Sequence, residues 1–375
     1  MGCATHNDLS TSVDTKSTPI LPHVNWQSDD YRLIEVPQVE DIFYLNDDNA
    51  QHFLSYYQSR KNQDVDGHIR LAEYISEFLS GFTYRGETYN ANLAAIEQAG
   101  NCLSLAILTK AYASLVGLKV EYRKVNSEPV YSRENGIMTI SSHVQTHVHA
   151  PAQLDNRKID IHFSKVIIDY FPTSRGVKGG RVSDEDFISM YYQNLAAKAL
   201  VNNELDRAYS LLSAAMQISP DNIETLNTLA VLHKKSGNRD AAESIYRYAL
   251  HYTKGSVSIL SNFVILLNES NRNKEAALYE DKYLEIEDDN PFNWHDLANR
   301  AYERENYWKA LHLYKKSADM APYLHENFFG QAKAYYQLGN RAEANDALQK
   351  ASGLAYTKLD EKLYSAKLDT LKGHH

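Results

Sequence analysis

Residues 226–250 read LNTLAVLHKKSGNRDAAESIYRYAL. Two runs with apolar residues at helical spacing flank the turn signal Gly237-Asn238. Small residues sit at matched places in both runs, Ala230 in the first and Ala242 and Ala249 in the second. Ala242 belongs to a series of 34-residue steps: Ala208, Ala242, Ala276, Ala310 and Ala344. Twelve residues earlier the same step gives Ala196, Ala230, Val264, Ala298 and Ala332, each preceded by Leu195, Leu229, Phe263, Leu297 or Gln331. Seven residues after the first series come Ala215, Ala249, Tyr283, Ser317 and Ala351. Pro220 and Pro322 close the first and fourth units.

Short antiparallel helices approach closely only where small side chains face one another. Large residues such as Tyr246 and Tyr314 then fill the space between units. A single pair cannot bury its apolar face, so the units must stack. Over about Ser189 to Tyr356 the pattern resembles tetratricopeptide repeats. That resemblance implies an all-α solenoid of about five repeats over residues 189–372, with 357–372 as a capping helix. The third unit departs from the pattern, with Tyr283 at the small position and Asp288 at the proline position. A concave solenoid surface implies a protein or peptide partner. Tyr279, Trp294 and Trp308 read as packing residues, and 284–290 (LEIEDDN) as a solvated inter-helix stretch.

The chain has 375 residues, 43% hydrophobic and 23% charged, with a net charge of −9. These are globular values. The acidity lies mostly before Ser189. A nucleic-acid partner is excluded, since phosphate contacts need clustered Lys and Arg. No run approaches the ~20 apolar residues of a transmembrane helix. Two cysteines, Cys3 and Cys102, make no disulfide framework. Gly2-Cys3 resembles the end of a bacterial lipobox, which implies an acylated Cys3, residues 1–30 as a polar tether and a place in the bacterial cell envelope. The alternative is a plain tail on a cytoplasmic protein.

Residues 31–175 read differently. AQHFLSYYQSR (50–60) and IRLAEYISEFLSGF (69–82) carry helical periodicity. LKVEYRKV (118–125), IMTISSHVQTHV (137–148) and KVIIDYF (165–171) alternate and are rich in β-branched residues, so strands are expected. An α+β domain follows, with helices before strands. The glycine-rich stretch 173–186, TSRGVKGGRVSDED, is expected to be a linker, so that 176–188 leads into the first repeat helix with Ser183 as its cap.

Within this domain GNCLSLAILTKAYASLVGL (100–118) places Cys102 at the start of an apolar helix. Unpaired N–H groups and the helix dipole stabilise a thiolate at such a place. A nucleophile also needs a base and an orienting carboxylate. His143 and Asp169 follow on expected strands, with His147 as the rival base on the same strand face. Tyr84 and Asn101 are candidate oxyanion donors beside the Cys102 backbone N–H. A lone cysteine on an apolar helix is otherwise a core residue. His143 and His147 lie ~13 Å apart on an extended strand, too far to share an ion easily, and His147 with His149 would need partners such as Asp160 or His162, so no metal or cofactor is expected.

Residues 95–125, AIEQAGNCLSLAILTKAYASLVGLKVEYRKV, together with 82–102 and PVYSRENG at 129–136, resemble the transglutaminase-like superfamily, whose core is papain-like. The resemblance covers about residues 70–172. It implies a Gly-x-Cys helix running into a strand, a histidine opening the next strand and an aspartate ending the one after. Gly100, Cys102, Gly117-Leu118, His143-Val144 and Asp169 follow that plan, although Val144 stands where the family often has an aromatic residue. The function expected on this basis is thiol-dependent acyl transfer or amide hydrolysis on a protein or peptide, with Cys102, His143 and Asp169 as the triad. The alternative is a non-enzymatic scaffold in which a degenerate front domain and the solenoid mediate protein–protein interaction.

Overall fold

In a computed structural model the described residues are 30–126, 131–134, 137–140, 143–150, 165–170, 177–252, 256–282, 286, 288, 290–355 and 358–372. Cys3, Tyr283, Asp160 and His162 lie outside them, as do most of the expected tail and the segment PVYSRENG in part.

The front part opens with α1 (Val39–Phe43), α2 (Asp47–Tyr57) and α3 (Gly67–Leu79). The last two fall on the stretches with helical periodicity. Two-residue strands β1 (Thr83–Tyr84) and β2 (Ala99–Gly100) pair in parallel around α4 (Ala91–Glu97). Then comes α5 (Cys102–Leu115), buried along nearly its whole length. A helix apolar on every side must lie in the core. Here α1, α2, α3 and α4 contact it, and a sheet covers the remaining side.

That sheet contains β3 (Val120–Asn126), β6 (His143–His149), β7 (Lys165–Ile168) and β8 (Val177–Val182), in the order β7-β6-β3-β8 with every pair antiparallel. A separate hairpin pairs β4 (Tyr131–Glu134) with β5 (Ile137–Ile140). Val144, Thr146 and Val148 alternate along β6 as fully buried residues facing α5. The glycine-rich stretch expected to be a linker instead forms β8. It pairs with β3 through a shift in register between Arg123 and Val125. Gly179 permits this, since a Cβ there would lie 2.9 Å from the carbonyl oxygen of Lys124.

Ser183 then caps α6 (Asp184–Val201) by accepting from the Asp186 N–H. Helices follow in antiparallel pairs. They are α6 with α7 (Leu205–Ile218), α8 (Ile223–Lys235) with α9 (Arg239–Tyr252), α10 (Val257–Glu269) with α11 (Asn273–Asp281), α12 (Pro291–Glu303) with α13 (Tyr307–Met320), and α14 (His325–Gln337) with α15 (Arg341–Leu354). The final α16 (Lys358–Lys372) packs on α15. Every described alanine of the 34-residue series is buried, at 0–5% exposure. Gly330 extends the logic: a Cβ there would lie 2.4 Å from the Tyr314 ring.

One apolar core joins the front part to the first repeats, reaching from Tyr31 through α5 and the sheet to Ala276 on α11. A second core begins at Val257 and continues into α12 and α13. The change falls at the third unit, where α11 has only nine residues. Asp288, in the proline position, takes over as an anchor. Its carbonyl accepts from Trp294 Nε1 at 2.9 Å, and its carboxylate accepts from the Asn290 N–H and Asn293 Nδ2, each at 2.9 Å. Ion pairs join the second and third units. Arg247 contacts Glu243 at 2.7 Å and Glu275 at 2.5 Å, and Arg272 contacts the same two carboxylates, each at 2.5 Å.

Two outcomes follow from this packing. Ala242→Leu forces three extra heavy atoms into a closed helix contact and should cost about 1–3 kcal/mol, read as a lowered urea midpoint with native secondary structure. Burial pushes the Glu243 carboxyl up, but hydrogen bonds from Arg272 and Arg247 outweigh it and hold the group below its ordinary range. Glu275 is held down by Arg247 against burial. Carboxyls depressed in the folded state stabilise it above their unfolded pKa of about 4.3 and lose that contribution as pH falls through the folded value. Arg247→Ala should therefore lower the urea midpoint at about pH 7, and the gap from the parent should narrow towards about pH 3.5.

Candidate functional site

Two places in the molecule carry polar groups in arrangements beyond what packing needs. The first is the N-terminus of α5. Gly100 turns into the helix with φ of +136°. A Cβ there would lie 2.7 Å from the Ser104 side chain, so only glycine fits. Asn101 caps the helix by accepting from the Ser104 N–H at 3.0 Å, and Ser104 Oγ is 3.3 Å from the Asn101 N–H, which closes a capping box. Ser104 Oγ also accepts from the Tyr89 N–H at 2.8 Å. The first turn of α5 is thereby fixed.

Cys102 is 9% exposed and lies next to β6. Burial pushes its thiol pKa up. The backbone N–H groups of Val144, Leu103 and Cys102 itself are directed at the sulfur and pull the other way, while the Asp169 carboxylate adds to the rise. The balance is upward, the reverse of the depressed thiol that a helix start alone predicts. The Leu103 and Cys102 N–H groups are the helix-terminus effect and the Val144 N–H comes from β6; burial exceeds all three.

Asp169 follows directly after β7, level with Gln145 of β6, whose Nε2 donates to its Oδ2 at 2.5 Å. Tyr84 stands in the same cluster. Its hydroxyl donates to the Tyr170 carbonyl, and burial, Cys102 and Asp169 all raise its pKa. Tyr170 ties the pieces together. Thr109 of α5 donates to the Leu105 carbonyl, so the Tyr170 hydroxyl donates to Thr109 at 2.8 Å and accepts from Thr146 of β6 at 2.7 Å. Cys102, Asp169 and Tyr84 are therefore gathered at one end of α5.

The other candidates divide. His143 opens β6 opposite Val125 and one residue before Val144, a backbone position beside the sulfur; its side chain lies outside the described residues. His147 stands further along β6 and alternates away from the face that meets α5. It is 4% exposed and accepts from Lys165 Nζ through Nδ1 at 3.2 Å; burial and then Lys165 lower its pKa. Asn101 directs its amide donor to Thr88 Oγ1 at 2.7 Å, so it serves the cap rather than the mouth of the site. Gln145, Tyr170, Thr109 and Thr146 were not singled out from sequence. The alternation of QTHV does place Gln145 and Thr146 on opposite faces, but only the β6–β7 register brings Gln145 to Asp169.

The second place is the row of first helices in each pair, α6, α8, α10, α12 and α14, which contact one another in succession. Buried and half-buried polar side chains link neighbours along this row. Gln193 Nε2 donates to Thr228 Oγ1 at 3.4 Å, Asn262 Nδ2 donates to Asn227 Oδ1 at 2.9 Å, and the His295 imidazole donates through Nδ1 to Asn327 Oδ1 at 2.7 Å. Gln193, Asn227 and His295 share one repeat register. Trp294 is wholly buried and Tyr279 packs on Phe263 at 4.7 Å between ring centres, as packing residues should. Trp308 departs from that expectation: at 67% exposure it faces solvent on α13. The two places are joined at Thr88, whose Oγ1 accepts from Asn101 and, at 3.2 Å, from Asn194 of α6.

No helix among the described residues is long and apolar enough to cross a membrane. No curated protein matches the chain. Among solved structures the chain is similar to that in a functional characterization of Pseudomonas aeruginosa pilF, at 18% identity and TM-score 0.35, covering 51% of this chain and 87% of that one. It is similar to the yeast Tom70 at 21% identity and TM-score 0.38, covering 49% of this chain and 40% of that one. It is also similar to YrrB, described as a TPR protein with an unusual peptide-binding site, at 18% identity and TM-score 0.31, covering 50% of this chain and 94% of that one. A family model, the tetratricopeptide repeat, matches residues 199–247, which run from the end of α6 into α9. Residues 199–247 thus match the tetratricopeptide repeat, and the helix pairs around them follow the same 34-residue spacing.

Proposed function

We propose that this chain is a protein–protein interaction scaffold, with a peptide or protein partner held on the row of first helices. The polar row from Gln193 through Asn227 and Asn262 to His295 supports this reading. These side chains are half-buried and mostly uncharged, and each is bonded to a side chain on a neighbouring helix of the row: Gln193 to Thr228, Asn227 to Asn262 and His295 to Asn327. Burial lowers the His295 pKa, against the Asn327 hydrogen bond, which leaves that ring neutral at physiological pH. Amide side chains both donate and accept, which suits the N–H and C=O groups of a partner main chain. A Cys3 anchor would hold such a scaffold at a bacterial membrane, a proposal that rests on Gly2-Cys3 alone.

A second reading draws on the α5 terminus. Three N–H groups at the Cys102 sulfur, with Asp169 and Tyr84 close by, suit a transglutaminase-like thiol site. On that reading Cys102 attacks a carboxamide or peptide carbonyl. His143 removes the thiol proton and returns it to the leaving amine, and Asp169 orients the imidazole. Water or an amine then resolves the thioester.

Two measurements separate these readings. Asn227→Arg combined with Asn262→Arg should weaken a partner captured by the parent protein by more than about tenfold, with an unchanged melting temperature. Retained affinity in that variant would remove the polar row as the binding surface. With Cys3 replaced by Ser, alkylation of Cys102 by iodoacetamide should be slow at neutral pH and rise only above about pH 8.5, as burial of the thiol dictates. A rate plateau extending below about pH 7, lost in His143→Ala, would instead establish an activated thiolate and carry the enzyme reading.

A further inference from the structure

The chain from Asp30 to Pro37 has no helix or strand of its own, yet it is fixed against the first two repeats. The Arg32 N–H donates to Asp206 Oδ1 at 3.1 Å, and the Ile34 N–H donates to Ser210 Oγ at 3.0 Å. Alternate N–H groups facing one side is the geometry of an extended chain. The spacing matches as well. Two extended residues advance ~6.6 Å, and the four residues from Asp206 to Ser210 on α7 advance ~6 Å. Asp206 and Ser210 therefore hold the strap mainly through its main chain.

One side chain of the strap is held in a defined slot. The Tyr31 ring stacks on Tyr209 at 4.6 Å between centres and 19° between planes, and meets His233 edge-on at 5.5 Å. Ser236 Oγ donates to the His233 carbonyl at 2.9 Å, so it accepts from the Tyr31 hydroxyl at 2.6 Å. His233 Nδ1 is buried without a hydrogen-bond partner among the described residues. The acid before the tyrosine is bound too, with Asn238 Nδ2 donating to Asp30 Oδ2 at 3.1 Å. At its far end the Pro37 carbonyl accepts from the Tyr192 hydroxyl at 2.8 Å and Val36 packs on the core, but the middle of the strap covers little. Leu33 is 69% exposed and Ile34 36%. The Arg32 guanidinium meets Asp206 at 3.8 Å while 81% exposed, a contact worth little. A cavity of about 470 Å³, lined by Tyr31, Leu205, Asp206, Ser236 and Asn238 among others, opens beside the tyrosine.

We propose that this surface is a peptide-docking site occupied by the chain's own strap, and that an extended segment of a partner protein with an acidic residue followed by tyrosine takes the strap's place. The site supplies two main-chain acceptors one helical turn apart, an amide for the acid and an aromatic slot with a hydroxyl acceptor at its floor. None of these needs Arg32, Leu33 or Ile34 by identity. The strap is thus a self-ligand, and its occupancy sets how much site is open to a competitor. The surface lies on α7, the last turn of α8 and the α8–α9 turn, and uses none of the polar-row side chains.

The test uses the full chain and a fluorescent octapeptide of residues 30–37, DYRLIEVP. Anisotropy titrations compare the parent protein with Tyr31→Ala, which empties the slot, and with Ile34→Pro, which removes the donor to Ser210 and leaves the slot intact. Both variants should bind the peptide at least about tenfold more tightly than the parent, because the internal competitor is weakened. The peptide with its tyrosine replaced by alanine should not bind, and Tyr31→Ala combined with Tyr209→Ala should lose binding. Asn227→Arg combined with Asn262→Arg should leave it unchanged, which separates this site from the polar row. Equal affinity for parent and variants, or no binding to either variant with a native circular dichroism spectrum, would overturn the proposal. So would a parent dimer that Tyr31→Ala converts to monomer, since the occupant would then be the strap of a second copy.

Discussion

Close approach of antiparallel helices is the constraint on which the rest of the molecule depends. It is met by small side chains in most units, and from the front part through the first repeats the helices share one continuous core. The third unit relaxes it. There α11 is short, the core divides, and polar anchors replace close packing, with Asp288 bonded to Asn290, Asn293 and Trp294 and four charged side chains bridging α9 and α11. Polar contacts of this kind depend on salt and pH, whereas alanine packing does not. The third unit is therefore a polar joint between alanine-packed units on either side.

At the α5 terminus two familiar effects oppose each other. A helix start offers N–H groups to a sulfur, and the register of β6 adds the Val144 N–H. The same helix is apolar all round, so its first turn sits deep in the core and the charged thiolate loses solvation. The neighbouring network, with Gln145 on Asp169 and Tyr170 on Thr109 and Thr146, holds the surrounding groups in one arrangement.

The repeat half was legible because its signal is spread over five units, and an error at one position leaves the period intact. The helices of the front half and the alternation along β3, β6 and β7 were legible for the same reason, a period several residues long. β8 was not. Gly179 and Gly180 read as a linker, and their smallness is what lets the strand close on Lys124. The strap was missed because its hold rests on main-chain N–H groups, which every sequence has, and on one tyrosine at the edge of a polar stretch. Within the candidate site, Cys102 and Asp169 were found from element starts and ends. Their meeting with Gln145, and the commitment of Asn101 to the helix cap, depend on strand register and side-chain direction that no spacing rule contains.

The position of α6 has a consequence for how such a chain can change in length. A repeat array has two ends, each with an apolar face to cover. At the far end α16 covers it. At the near end the sheet does so, with Tyr122 of β3 stacked on Phe187 of α6 at 3.6 Å. Duplication or loss of a whole 34-residue unit beyond α10 would create or remove matching faces and leave the sheet contact untouched. Loss of the first unit would strand two apolar faces that fit nothing else in the chain. Growth by duplication is thus open at one end of this architecture and closed at the other.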